Sequence, residues 1–298
     1  MPRLQVCEWH AWQHFLITHI VPDAARVTVT PGSELRSMAR LSAPALVHVN
    51  LSRPHQVFPD YDRWLAAYEE IGLPVLNGYV HSIDKWAVQD ACAAAGLPQV
   101  RAPRGGDPDE VLIIKSRANH RGLYEQELPP GMVGDMSPPS WPYPERVHRL
   151  RRREVSDAVW DDRRVAVERY ISNPQGRFQR AYVAGEYVAV ATSHSPKLVK
   201  EMDHRKGVDL ASTTAASVRP VDGRDPLSVA FRLAREMRAD FAALDLALDD
   251  TGMVHPIDLN TTPTWGWRHD LNPRLIGELI EAFGPLTEHG SRYAPVRA

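Results

Sequence analysis

Residues 243 to 263 read A-L-D-L-A-L-D-D-T-G-M-V-H-P-I-D-L-N-T-T-P, and this stretch restricts the fold most tightly. Two apolar runs flank a polar turn, which is the pattern of a β-hairpin. Side chains alternate along a strand, so Asp258 and Asn260 share one face while Ile257 and Leu259 take the other. A four-residue loop over 249–252 pairs residue 248 with 253 and sets Asp245 opposite Pro256, on the face of Asp258 and Asn260. A three-residue loop breaks that parity. The spacing predicts a sheet with one apolar face and one face bearing three oxygen ligands. Such donors suit Mg²⁺, which binds protein through few carboxylates and shares its other positions with water and substrate phosphates. The competing reading is a solvated hairpin with ordinary surface acids.

The chain has 298 residues, 43% hydrophobic and 24% charged, enough for two domains or one elaborated domain with a real core. A formal net charge of −2 offers no global attraction to nucleic acid or to a membrane surface. Cys7 and Cys92 provide neither a disulfide framework nor a metal spacing. The start lacks a basic segment followed by an apolar run, and no stretch approaches the ~18 apolar residues of a membrane span. The expectation is a cytoplasmic protein with neither nucleic-acid nor membrane partners; a homodimer stays open. Many of the 25 prolines crowd between Pro103 and Pro144, which predicts a loop-rich region.

Short strands are expected at 25–30, 45–50 and 73–77, with a helix over 61–72 ending at Gly72. That strand–helix–strand alternation predicts a small α/β domain. A second helix follows Ser82 as N-cap and ends near Gly96 and Pro98. Strands are expected at 110–115 and 164–171, and a hairpin over 178–192 turning at 184–186. A helix is expected over 226–242, then the opening hairpin, then a last helix near 273–283.

A nucleotide beside Mg²⁺ needs cations. Lys115 closes an apolar strand, where an ammonium is costly unless it reaches solvent or an anion. Lys85 lies in the first turn of a helix, where the backbone also favours phosphate. Arg180 sits among apolar residues of the 178–192 hairpin. Each alone is more often a solvated or structural charge. The segment leaving the strand at Ile171 offers an apolar slot for a base.

Taken in order, V-L-N…S-I-D-K…A-G-L-P (75–98), V-L-I-I-K (111–115), V-A-V-E-R-Y-I (165–171), F-Q-R-A-Y-V-A-G-E-Y-V-A (178–189) and A-L-D…I-D-L-N-T-T-P (243–263) resemble the ATP-grasp superfamily. The resemblance is to the branch of glutathione synthetases and amino-acid ligases, over roughly residues 75–265. It implies α/β and α+β architecture: a short N-terminal α/β domain (1–80), a central lobe (81–168) and a C-terminal lobe carrying the metal hairpin (169–298). It implies that Lys85 and Lys115 hold ATP phosphates, that Glu168, Arg169, Tyr170 and Ile171 contact adenine, and that Arg180 faces the transferred phosphoryl group. Lys115 and Arg180 then take catalytic roles, and Asp245, Asp258 and Asn260 bind Mg²⁺, as two ions. The implied chemistry joins a small-molecule carboxylate to an amine, an amino acid or peptide, through an acyl phosphate. A small-molecule kinase and a non-catalytic nucleotide-binding protein are the alternatives. The chain departs from the pattern in three places. Only Gly122 remains of the glycine-rich loop, so Asn119, His120 or Arg121 would cover the phosphates. Phe178 stands where a ribose-binding acid is usual. The segment 120–164 is long, and is expected as a lid or partner surface.

Other clusters have plainer readings. His10 and His14 are spaced for one helix face, but Trp9, Trp12 and Phe15 favour packing over zinc. The basic run 149–153 lacks aromatic interleaving, so a solvated face or salt-bridged helix outweighs nucleic acid. The loop 194–207 suits an acidic substrate or simple exposure. Trp265 and Trp267 would line a substrate pocket or pack.

Overall fold

A parallel sheet in the N-terminal region comprises β1 (Gln5–Glu8), β2 (Ala25–Thr28), β3 (Ala45–Val47) and β4 (Val75–Leu76), ordered β2-β1-β3-β4. The computed structural model describes residues 4–11, 13–129, 131–132, 134–137, 147–194, 206–214, 223–264, 273–289, 291 and 293. Short helices α1 (Ile17–Ile20) and α2 (Leu35–Met38) and the longer α3 (Tyr61–Ile71) connect these strands. Helix α3 buries Tyr61, Trp64, Leu65 and Tyr68, one helical stripe, and stops where Gly72 takes φ 72° and donates to Glu69 and Tyr68 carbonyls. The central strand β1 has no counterpart in the sequence reading. It spans four buried residues, two of them polar, so it shows no apolar run. Gln5 is buried because its amide donates to Arg40 O (2.6 Å) and Ala43 O (3.1 Å) and accepts from Arg40 N (3.1 Å).

Next come α4 (Lys85–Ala94), β5 (Val111–Ser116), β6 (His148–Arg151), α5 (Asp157–Asp161) and β7 (Val165–Arg169). The three strands form an antiparallel sheet ordered β6-β5-β7. The basic run 149–153 is therefore an edge strand through Arg151, with Arg152 and Arg153 in the short 3-10 turn Arg152–Glu154 that follows. The strand's alternating burial sets Leu150 against the small core of Leu112, Ile114, Val165 and Val167, while Arg151 and Arg153 reach Asp109 at 3.0 and 2.5 Å.

The remaining elements are β8 (Arg177–Ala184), β9 (Tyr187–His194), β10 (Lys206–Thr214), α6 (Pro226–Glu236), β11 (Phe241–Leu248), β12 (Val254–Asn260) and α7 (Pro273–His289). Their strands form one antiparallel sheet ordered β10-β9-β8-β11-β12. Ala181, Val183, Leu244 and Leu246 pack one face onto α4 and α6. Tyr182, Ala184, Phe241 and Ala243 pack the other onto α7 and onto α1 and Val6 of the N-terminal region. Helix α6 is shorter than its apolar pattern suggests. Arg238 adopts φ 56°, and Asp240 exchanges hydrogen bonds with Asn77, so the chain turns into β11 before residue 242. Residues 206 and 207, expected in a loop, begin β10, and α7 runs on to His289.

Candidate functional site

Three charges stand in a row across adjacent strands. Arg180 on β8 lies opposite Asp245 on β11, and Asp245 lies opposite Asp258 on β12. This register corrects the loop-based expectation. Pairing runs Leu248 with Val254 and Leu246 with Pro256, then shifts, so that Asp245 meets Asp258 and Ala243 meets Asn260. Ile257 is the extra residue of a bulge beside Pro256, which cannot donate to the ladder. The shared face of the two aspartates survives the shift. Directly opposed like charges are destabilising unless countered. Here Arg180 reaches Asp245 at 3.1 Å and Lys85 reaches Asp258 at 2.6 Å. Both cations are 5% exposed. Burial works against the Arg180 charge, and Asp245, Tyr182 and Asp258 more than offset it, leaving its pKa raised. The Arg180 Nε is buried with no hydrogen-bond partner among the described residues. Asn260 lies two residues along β12 from Asp258, opposite Ala243, with its Oδ1 accepting from Thr262 N (2.8 Å) and Thr262 Oγ1 (2.9 Å).

Lys85 is aimed by the start of α4. Asp84, rather than Ser82, is the N-cap: its carboxylate accepts from Trp86 N (2.9 Å) and Ala87 N (3.1 Å), while Ser82 Oγ donates to it at 3.0 Å. Arg53 and Arg117 each pair with Asp84 at 2.9 Å, and both also hold Asp135. Burial raises the Asp84 pKa, but Arg117, the backbone donors and Arg53 together bring it below its ordinary value.

Lys115 joins the central sheet to the hairpin. Its Nζ pairs with Glu168 Oε2 at 2.7 Å and donates to Ile257 O at 3.2 Å, the carbonyl of the bulge residue. The second oxygen of Glu168 is buried with no hydrogen-bond partner among the described residues. The N–H groups of Arg169 and Tyr170 are engaged by Val100 O (2.7 Å) and Val111 O (3.1 Å), and Arg149 lies 4.4 Å over the Tyr170 ring. Ile171 follows the end of β7. Glu168 thus adjoins Lys115, and through it the hairpin, while none of Glu168, Arg169, Tyr170 and Ile171 lines the cleft beside Asp258.

That cleft, about 510 Å³, is lined by Arg180, Asp245, Asp258 and Asn260 on one side and by His10, Asn50, Asn119, His120, Tyr124 and Glu127 on the other. In place of a glycine-rich loop, residues Asn119–Gly122 form a tight turn with His120 at φ 44° and Arg121 at φ 64°. Left-handed conformations are uncommon for such residues, and the turn is pinned from outside. Asn119 N donates to Ser52 Oγ (2.8 Å) and its side chain to Asn50 Oδ1 (2.9 Å). Ser52 also donates, from N and Oγ, to buried Glu125, whose carboxyl is pushed above its ordinary value by burial. Asn50, Ser52, Glu125 and Glu127 were not identified from the sequence. Asn50 closes the 45–50 run, and that position beyond a strand end is the one signal available for it.

The histidine pair does not form a metal site. His10 stacks beside Trp9 and reaches Glu127 at 3.3 Å, and His14 neighbours Gln13. Among the described residues no group of three or more His, Cys, Asp or Glu is arranged to hold a metal. The hairpin supplies two carboxylates and an amide, a donor set that matches Mg²⁺ shared with phosphates. Trp265, Trp267 and residues 195–205 lie outside the described residues. No described helix is long and apolar enough to cross a membrane.

No protein-family model matches the chain, and no curated protein matches it. Solved structures do. The ATP-grasp ligase PsnB, complexed with a phosphomimetic variant of a minimal precursor, Mg and ADP, matches at TM-score 0.52 and 15% identity over 96% of this chain and 99% of that one. D-alanine–D-alanine ligase from Bacillus anthracis matches at TM-score 0.50 and 12% identity over 98% and 97%. The VanG D-Ala:D-Ser ligase from Enterococcus faecalis matches at TM-score 0.50 and 12% identity over 97% and 99%.

Proposed function

We propose that this chain, whose fold is that of the ATP-grasp superfamily, is an ADP-forming ligase that joins a carboxylate to an amine. The observation that carries the reading is the pair of aspartates on one sheet face at the cleft, Asp245 held by buried Arg180 on the adjacent strand and Asp258 by buried Lys85 at the start of α4. Buried charges are costly unless compensated, and two buried cations beside two partly exposed carboxylates suit a ligand of mixed charge. The ligases of similar fold include one held with Mg and ADP, which supports the same assignment here.

In this reading residues 1–80, 81–168 and 169–298 are the three units. Asp245, Asp258 and Asn260 hold Mg²⁺, as two ions; when bound, the metal neutralises phosphate charge. Lys85 and Arg180 exchange their carboxylate partners for phosphate oxygens. Lys115 steadies the phosphates from the central sheet, and the hinge at Glu168, Arg169, Tyr170 and Ile171 receives the adenine. The substrate carboxylate oxygen forms a bond to the γ-phosphorus as the bond to ADP breaks. The amine nitrogen then bonds to the acyl carbon, phosphate leaves with the C–O bonding pair, and the nitrogen gives up a proton. The protein supplies positioning and charge compensation rather than covalent chemistry.

The test is an assay for ADP and free phosphate with Mg–ATP across amino-acid pairs and small peptides, with Asp258→Asn alongside. Phosphate release that depends on an amine, and is lost in the variant, is expected. Phosphoryl transfer to a hydroxyl without free phosphate would make the protein a kinase. ATP binding without turnover on any substrate would make it a nucleotide-binding protein.

A further inference from the structure

We infer that the end of the cleft facing the N-terminal sheet is the amine's subsite, and that it selects an organic cation with a flat or apolar body over a free α-amino acid. The assignment of an amine rests on the ligase reading above. Three independent features of the chain locate and characterise the subsite.

The first is topology. The order β2-β1-β3-β4 reverses direction between β1 and β3. The crevice outside the carboxyl ends of strands at such a reversal is where open parallel sheets receive ligands. His10 lies two residues beyond β1 and Asn50 three beyond β3, and both line the cleft shared with Asp245 and Asp258.

The second is a run of rings. The centroids of Trp9 and His10 lie 4.4 Å apart, those of His10 and Tyr124 5.3 Å, and those of Tyr124 and His120 5.3 Å in a stacked pair. Tyr124 therefore neighbours both imidazoles. A flat or apolar group has a surface to lie on, and an ammonium has a π face to approach.

The third is charge. Arg180 is the only lysine or arginine among the described residues lining the cleft, and Asp245 already holds it. At the far end the acid is Glu127, half exposed and 3.3 Å from His10 Nε2. The cleft is thus polarised. Anions are received at the strands and a cation at the rings. An α-amino acid would bring its own carboxylate to the Glu127 end, where no arginine or lysine lining the cleft answers it.

Matched ligand pairs test this directly. Binding of tyramine and tryptamine, and of tyrosine and tryptophan, is measured by titration calorimetry on the full chain with Mg–ADP. The amines are expected to bind about tenfold or more tightly than the amino acids carrying the same rings. Glu127→Gln should abolish that preference, and Tyr124→Ala should weaken both amines, with nucleotide affinity unchanged in each variant. Thermal melting of the variants checks that they fold. Amino acids binding as tightly as the amines, a preference that survives Glu127→Gln, or no binding by any of the four compounds overturns the subsite. If the preference and its loss are observed while no amine supports ADP and phosphate release, the ligase reading fails and the subsite stands. If amine-dependent phosphate release occurs but Glu127→Gln leaves the amine KM unchanged, the subsite fails and the ligase reading stands.

Discussion

The wall built by β8, β11 and β12 carries its charges within strands, whereas the wall beyond β1 and β3 carries its polar groups in loops past the strand ends. On the first wall, Arg180, Asp245 and Asp258 are held by the register of three adjacent strands, so their spacing is set by backbone pairing. On the second, His10, Asn50 and Tyr124 depend on contacts between segments far apart in sequence, such as Asn119 to Asn50 and Glu125 to Ser52. A strand-built grid suits a ligand part that never changes, which in the proposed reading is the phosphates and metal. A loop-built wall can be re-sculpted without disturbing that grid, which suits the part of a substrate that varies between relatives.

The largest effect should come from the grid. Replacing Asp258 by Asn keeps the shape but removes the negative charge of a proposed metal ligand and leaves Lys85, 5% exposed, beside a neutral amide. Turnover should fall by ~10²–10³, the loss typical of one preorganised electrostatic partner. Nucleotide-dependent ADP release measures it. Activity equal to wild type would remove the grid from the chemistry and erase the contrast between the walls.

The same contrast explains what could be read in the sequence. Period-two alternation reports which strand residues share a face, so Asp245, Asp258 and Asn260 were legible, as were Lys115 and Arg180 at marked positions in apolar strands. The pairing register was not, because the bulge at Ile257 shifts it; Pro256, a residue that strands tolerate at bulges and edges, was the available sign. Strand β1 escaped because Gln5 and Glu8 are buried polar residues whose partners lie in other segments. The run 148–151 reads as a charged surface because it is an edge strand with one half-buried face. The second wall had no local pattern at all: Glu125 and Glu127 belong to a proline-rich stretch and meet the N-terminal region only in the folded chain.

The joint between the two walls gives the next prediction. Asp84 caps α4, sits 1% exposed and binds Arg53 from the N-terminal region and Arg117 from the end of the central sheet. Its removal deletes a cap and leaves two guanidinium groups without this partner, so Asp84→Ala should cost ~3 kcal/mol of stability. Asp84→Asn, which keeps a capping oxygen, should cost less. Because Lys85 follows directly, nucleotide affinity should fall with stability in the alanine variant. Urea unfolding and nucleotide titration read the two effects. Stability lost without any change in affinity would show that the walls are joined independently of the phosphate site.

The smallest effect concerns the floor beneath the second wall. His48 is 1% exposed, its ring nitrogens have no hydrogen-bond partner among the described residues, and its ring meets Phe15 edge-on at 4.8 Å. Burial, aided by the Arg26 charge, pushes its pKa down from 6.5 to about 3. Between those values the unfolded chain binds a proton that the folded chain does not. Stability from this residue is therefore full above pH 6.5 and lost as the pH falls toward 3, by ~1.4 kcal/mol per pH unit at most. Glu8, 4.0 Å away with its pKa raised by burial, contributes with the opposite sign, since its folded form takes up a proton first as the pH falls. Comparing wild type with His48→Phe at pH 7.0, 5.5 and 4.5 separates the two, because Glu8 is present in both. The wild-type protein should lose stability more steeply on acidification. Parallel urea profiles across that range would mean that the ring takes up its proton inside the fold, and that the floor of the second wall yields as readily as its loops.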